Sequence, residues 1–252
     1  MIIGLEFPPI SHTVNWPTLF LSGPFAVNKV VLLMWASVAI VVGFYFIAGR
    51  KRELVPRGAQ NLAESVVDFV REGIIMQTMG KQGLSWTPFL LTMFSFVFVC
   101  NIWEVIPGAQ MPVNARMALP LLMTLLVWSI YHFVGIKVQG FFGYWKGIMF
   151  PPGVPWPIYL LVTPIELATY LVVRPLSLSV RLFANMLAGH LILITFAVLT
   201  TALWSATYIG AVLPFGLLVA LTGFEILVSL LQAYIFTILT AVYIGGAMHP
   251  DH

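Results

Sequence analysis

Six ionisable residues stand inside or beside long apolar stretches of the sequence, where charged side chains are rare. They are Glu104, Glu166, Arg174, Arg181, His190 and Glu225. A charge at the centre of a bilayer costs about 2.5–3.5 kcal/mol even on a lenient insertion scale, so each of these groups needs a partner or water. Such a set predicts a path for ions through a membrane. The alternative is a set of structural pairs that only fix how helices pack.

Arg181 is the candidate for a fixed positive charge on that path. The residues three, four and seven positions away share its helical face and are small or polar. They are Ser177, Ala184, Asn185 and Ala188. Small neighbours let another helix approach closely, and arginine stays charged where a lysine could lose its proton. No Asp or Glu occurs between Glu166 and Glu225, so we expect the counter-ion to come from another chain.

His190 and Glu225 are candidates for proton transfer. His190 follows Arg181 by nine residues, about 13.5 Å along a helix and roughly half a turn around it, so it points away from the arginine face. Histidine titrates near neutral pH, although a lone histidine on an apolar face is more often a satisfied core residue. Antiparallel pairing of the last two apolar stretches would place Glu225 at a similar depth. Glu225, Ser229 and Gln232 form a polar stripe, for which hydrogen bonding between helices is the alternative.

The composition is typical of a membrane protein. Of 252 residues, 60% are hydrophobic and only 8% are charged, and the mean hydropathy is +0.97; soluble domains carry about 25% charged residues. The net charge of +3 is weak and scattered, so we expect no nucleic-acid partner. Cys100, the single cysteine, cannot form an internal disulfide and indicates a small buried hydrophobe. We expect no metal and no cofactor, and the N-terminus does not match a cleaved secretory signal.

The apolar pattern predicts an all-α polytopic membrane protein, a single membrane domain over residues 1–252. Runs of about 20 apolar residues can cross the hydrocarbon core as helices. Three such runs occupy 30–48, 87–106 and 118–136. Between the first two, residues 54–83 carry charged side chains on one helical face and apolar ones on the other. That pattern predicts an amphipathic helix on the membrane surface, with a solvated linker helix as the alternative.

Two longer apolar stretches, 158–204 and 208–248, do not fit a single upright crossing. As one helix, the first would be roughly 70 Å long against a hydrocarbon core of about 30 Å. Each stretch therefore either breaks into two spans or forms one long, strongly tilted helix. Pro164, Pro175 and Pro214 are the candidate break points.

Basic residues predict the orientation. Eight lie in the loops after the first and third spans, against two on the other side: Arg50, Lys51, Arg52, Arg57, Arg71, Lys81, Lys137 and Lys146, against Lys29 and Arg116. The positive-inside rule then places the basic loops and the C-terminus in the cytoplasm and the N-terminus outside. The predicted location is the plasma (inner) membrane, with several crossings.

Two runs resemble the signature of the a subunit of F-type ATP synthases, and a third resembles the end of that family's second span. They are RPLSLSVRLFANMLAGH at 174–190, QAYIFTILTAVY at 232–243 and NIWEVIP at 101–107. The resemblance covers all the spans in order, and its overall character is bacterial and suggests an actinobacterial source. The family favours one long tilted helix for each of the last two stretches.

The resemblance implies that Arg181 faces the carboxylates of a rotating c-ring, with Asn185 and Gln232 around it. The subunit would be a non-catalytic stator part of the complex that couples proton flow to ring rotation, while ATP chemistry occurs on other subunits. Its expected partners are the c-ring, the subunit b peripheral stalk, other ATP synthase subunits and the lipid bilayer.

The resemblance also implies two proton routes. Glu104 matches the outer entrance, and His190 and Glu225 match an acid–base pair in the outer half-channel, with histidine first, as in the mitochondrial pattern. Glu166 lies where the inner half-channel would begin. Its separation from Arg174 is one residue longer than the family pattern.

Three other functions compete with this one. A small secondary transporter would need paired repeats, and the N-terminal spans have no counterpart of the Arg181 motif. A membrane-embedded hydrolase would need a catalytic motif such as HExxH, which does not occur. A variant of the same fold could move sodium, but His190 paired with Glu225 favours protons, because imidazole relays protons and is not a ligand for hard cations.

Overall fold

A computed structural model of the chain describes residues 27–50, 53–150 and 155–248. Within these ranges the regular structure is helical, with eight α-helices of nine or more residues. They are α1 (Lys29–Arg50), α2 (Ala59–Val70), α3 (Thr87–Ile102), α4 (Ala118–Gln139), α5 (Phe141–Met149), α6 (Tyr159–Ala168), α7 (Arg174–Ala206) and α8 (Tyr208–Met248).

Five helical segments of the described residues are long and apolar enough to cross a membrane. They are Lys29–Arg50, Gly80–Ile102, Ala118–Gln139, Trp156–Trp204 and Tyr208–Met248. Large apolar side chains stay exposed along them, for example Phe46 at 68% and Leu213 at 72%. Because lipid tails are as apolar as these side chains, such surfaces suit the hydrocarbon core. The predicted all-α polytopic membrane fold is confirmed.

The last two apolar stretches are not split into pairs of spans. The chain stays helical from Tyr159 to Ala206 and again from Tyr208 to Met248, and Pro164 and Pro214 lie inside helices. A helix of 41 residues is about 60 Å long, twice the thickness of a hydrocarbon core of about 30 Å. These are the two long tilted helices that the sequence left as one of two alternatives.

The segment between α1 and α3 contains the amphipathic helix that the sequence predicts to lie on the membrane surface. Its apolar face is formed partly as predicted, since Val70 and Ile74 are fully buried while Leu62 remains exposed. The ring of Phe69 lies 5.6 Å from that of Phe94 on α3. The segment is not one regular α-helix, because α2 continues into a π-helical turn (Arg71–Ile75) and later a 3₁₀ segment (Gly80–Trp86).

The described chain divides into two compact units. The first holds residues 27–43, 95–116 and 182–233. Apolar side chains from all three segments form its core, among them Val41, Val97, Cys100, Met111, Leu182 and Met186. Two polar contacts join its segments, since Trp103 Nε1 donates to Ser37 Oγ at 2.7 Å and Lys29 Nζ donates to the Ala109 carbonyl at 2.7 Å.

The second unit holds residues 44–50, 53–94, 117–150, 155–181 and 234–248. Its fully buried side chains include Val70, Ile74, Leu90, Val127 and Ile244. Between α4 and α5 the chain turns at Gly140, whose φ of 74° favours glycine. The ring of Tyr144 then lies where a side chain at Gly135 would be, and its hydroxyl is 2.8 Å from His132 Nδ1.

Candidate functional site

Glu104 and His190 come together in the first unit. Glu104 lies in the turn after α3, 3% exposed, and His190 is buried on α7. Glu104 Oε1 and His190 Nδ1 are 3.9 Å apart, too far for a direct hydrogen bond. Both line a cavity of about 620 Å³ whose wall also includes Lys29 and Gln110. This cavity has room for water between the two groups.

The Glu104 carboxyl group is held in its uncharged form by its surroundings. Neither of its oxygens has a hydrogen-bond partner among the described residues. Burial, together with the nearby carboxylate of Glu225, raises the pKa of Glu104 to about 8. A carboxyl group with a pKa in that range can both accept and release a proton near neutral pH.

Glu225 lies buried on α8 against the backbone of α7. A side chain at Gly189 would overlap its carboxylate, so the absence of a Cβ there makes the space that Glu225 occupies. No hydrogen bond or ion pair in the described part of the chain joins Glu225 directly to His190. The structure thus places His190 beside Glu104 and places Glu225 beside the residue that precedes the histidine.

Sequence reasoning gave no role to a pair of buried amides in the same unit. Asn114 Nδ2 donates to Asn101 Oδ1 at 2.6 Å, and both residues are fully buried. The remaining polar atoms of the pair, Asn101 Nδ2 and Asn114 Oδ1, have no partner among the described residues. Because buried polar atoms are normally satisfied, these atoms suit ordered water. Asn114 lies in a short 3₁₀ turn (Val113–Ala115) that follows Pro112, and the sequence there gives no indication that a polar residue is buried.

Arg181 and the small residues on its face of α7 are exposed. Ser177, Ala184, Asn185 and Ala188 share that exposure. Among the residues that the structure describes, no hydrogen bond or ion pair engages the Arg181 guanidinium. In contrast, Gln232 and Ser229 on α8 are buried.

Glu166 lies half-buried on α6, shortly before an irregularity in the long helix. Residues Thr169–Val173 form a π-helical turn that leads into Arg174. A π turn holds one residue more than an α-helical turn. The turn can therefore take up one extra residue between Glu166 and Arg174.

Comparison with known protein families decides which family this arrangement belongs to. The model of the family described as ATP synthase A chain matches residues 31–245 of this chain. The chain belongs to the ATP synthase A chain family. Members of this family are the proton-translocating subunits of the Fo sector, so the chain is a multi-pass membrane component of an ATP synthase.

Relatives named ATP synthase subunit a support this membership. The chain is 43% identical to the subunit of Frankia alni over 89% of its own length and 79% of the relative. It is 40% identical to that of Rhodococcus erythropolis over 97% and 88% of the two chains, and 37% identical to that of Streptomyces lividans over 89% and 81%. Several of these relatives of the ATP synthase A chain family are actinobacterial, as the sequence suggested.

Proposed function

We propose that the chain carries protons to and from a c-ring through two offset half-channels and so couples proton flow to ring rotation. The observation that supports this proposal most is the state of Arg181, which is exposed and unpaired within the described residues. A guanidinium without an acid of its own can attract a carboxylate that arrives on another subunit.

The outer half-channel begins at Glu104. A proton passes from the water-accessible cavity to Glu104 and His190, and then to Glu225 on α8. From there it neutralises a carboxylate of the c-ring. The neutral acid can face lipid, because the cost of placing a charge in hydrocarbon is removed.

The inner half-channel begins near Glu166. After nearly a full circuit the ring carboxylate reaches this route and ionises. Arg181 then attracts the ionised group and blocks direct passage of protons between the two routes, with Asn185 and Gln232 as its polar surroundings. Flow therefore requires rotation, and each charge that crosses 100 mV supplies about 2.3 kcal/mol.

The peripheral stalk, including subunit b, holds this subunit still while the ring turns. The basic loops and the C-terminus lie in the cytoplasm, and the N-terminus lies outside. The single membrane domain over residues 1–252 is part of the same proposal.

The decisive experiment is Arg181→Ala in the assembled enzyme. ATP-driven proton pumping into inverted vesicles should vanish, because nothing then pairs with the ring carboxylate between the two routes. Lys137→Ala removes an exposed cation elsewhere on the chain and should leave pumping intact. Coupled pumping at near-normal rates in the Arg181 variant would overturn the proposal.

A further inference from the structure

A cavity of about 300 Å³ lies in the second unit, and none of the residues of the proposed proton routes lines it. Its polar lining consists of Arg174, Gln139 and the tyrosines 131, 144, 170 and 243, and among the residues that the structure describes no acidic side chain contributes to its wall. Arg174 is thus a positive charge beside an open space whose described wall carries no acidic side chain.

The guanidinium of Arg174 stacks on aromatic rings and makes no hydrogen bond with the residues that the structure describes. Its central carbon lies 3.5 Å from the ring centroid of Tyr170 and 5.2 Å from that of Tyr243. Stacking uses the face of the guanidinium, whereas its five N–H groups lie in its plane and point outward. In the described ranges none of these donors has a hydrogen-bond acceptor.

The nearby carbonyl groups already accept hydrogen bonds from other donors. The Tyr131 hydroxyl donates to the Tyr170 carbonyl at 2.8 Å, and Gln139 Nε2 donates to the Ala247 carbonyl at 3.3 Å. The Tyr144 hydroxyl is bound to His132. These acceptors therefore already have donors, whereas the Arg174 N–H groups have no acceptor within the described residues.

The cavity is formed near helix ends. Gln139 is the last residue of α4, and Ala247 is one residue before the end of α8. Lys137 and Lys146 mark the same end of α4 and the helix after it. A basic pocket between membrane helices on the side of the basic loops suits a phosphate-bearing headgroup.

We propose that this cavity binds a phosphate group through the edge of the Arg174 guanidinium. Two oxygens of a phosphate match the paired N–H groups of an arginine, and the rings of Tyr170 and Tyr243 hold the guanidinium at the cavity wall. About 300 Å³ is roughly ten times the share of volume of one water molecule, enough for a phosphate with bridging waters. The group could belong to a phospholipid of the adjacent leaflet or to inorganic phosphate, and the site does not depend on the proposed proton route.

Imaging the assembled ATP synthase by cryo-electron microscopy in two kinds of nanodisc tests this proposal and distinguishes the sources. The first kind contains phosphatidylglycerol in phosphate-free buffer, and the second contains galactolipid, which has no phosphate, with inorganic phosphate added. Density beside Arg174 that continues into acyl chains in the first disc identifies a lipid. Isolated density in the second disc alone identifies inorganic phosphate. Only water-like density in both discs overturns the proposal.

Two variants make the assignment specific to Arg174. Arg174→Gln keeps a polar side chain but removes the charge and should lose the density, together with one phosphatidylglycerol retained per complex in native mass spectrometry if the source is lipid. Lys137→Gln removes a neighbouring basic side chain that does not line the cavity and should lose neither. If Arg174→Gln assembles and keeps the density, the proposal is wrong. If it does not assemble, the wild-type density in the two discs still decides.

Discussion

At the scale of single residues, the Glu225 carboxylate keeps its position because Gly189 has no side chain. Gly189→Ala should push this carboxylate away from its place against the backbone of α7. We expect proton transport to fall on the order of tenfold to a hundredfold, as when a reacting group is misplaced by about an ångström. ATP-driven pumping by the assembled enzyme measures the effect.

Gly223→Ala is the matched control, since a methyl group at that position in α8 meets nothing within 4 Å. It should pump at the wild-type rate. Equal pumping by both variants would show that the fit between Gly189 and Glu225 has no part in transport.

The raised pKa of Glu104 predicts that proton transport depends on pH. Its pKa of about 8 lies above the ordinary value for a glutamic acid, so the carboxyl group holds its proton at neutral pH and loses it as the pH rises through about 8. Proton uptake from the side of Glu104 should fall over that interval in proteoliposomes. Because the Glu225 carboxylate is one cause of the raised pKa, Glu225→Gln should move the inflection to lower pH in whatever transport remains.

The control for this shift is Glu64→Gln, which removes an exposed acid on α2 and should leave the inflection in place. An inflection that stays near pH 8 in the Glu225 variant would contradict the assigned cause.

The sequence was informative about residues on regular helices and less so about residues in turns. The small side chains around Arg181 follow from helical spacing alone, and the structure leaves that face exposed. The approach of Glu104 to His190 depends on how the turn after α3 folds back, which spacing along the chain does not encode. The same limit applies to Asn101 and Asn114, whose contact spans a loop.

At the scale of helices, the π turn at Thr169–Val173 predicts where the chain tolerates a deletion. Removing Val172 should convert this turn to a regular α-helix and preserve assembly and pumping, because the turn holds one extra residue. Removing Leu191 from the regular part of α7 should instead rotate the Arg181 face by about 100° relative to the C-terminal half of the helix and abolish pumping. Assembly on native gels and pumping in vesicles measure both.

Loss of pumping in the assembled Val172 deletion would show that the irregular turn itself is needed for transport.

The sequence could not predict this turn, because its residues are ordinary helix and strand formers without Gly or Pro. The length of the last two helices was also left open, since prolines at 164 and 214 are compatible with either a break or a continuous helix.

At the scale of the whole molecule, the basic loops predict which end faces the cytoplasm. Cysteines introduced for Lys146 and Gln110, both exposed, should react with a membrane-impermeant maleimide from opposite sides. Lys146→Cys should label in inverted vesicles, and Gln110→Cys should label in intact cells stripped of their wall. The native Cys100 is fully buried and should contribute little background.

Labelling of both positions from one side would contradict the predicted crossings between them.

The number of membrane helices could be predicted from length and hydrophobicity, because a helix that spans lipid must satisfy its backbone internally. The division into two compact units could not, since each unit combines segments far apart in the chain.

The exposed face around Arg181 carries nothing bulkier than asparagine among the small residues that flank it. If a c-ring helix moves along this face, as proposed, few bulky side chains would hinder it, and the main resistance would be electrostatic. The resistance to movement would then depend on the ring's acid: it would be weak while that acid is neutral and strong once the acid is charged and attracted to Arg181. A bulky residue such as tryptophan in place of Ala188 would add steric hindrance that is the same whether the ring acid is protonated or charged.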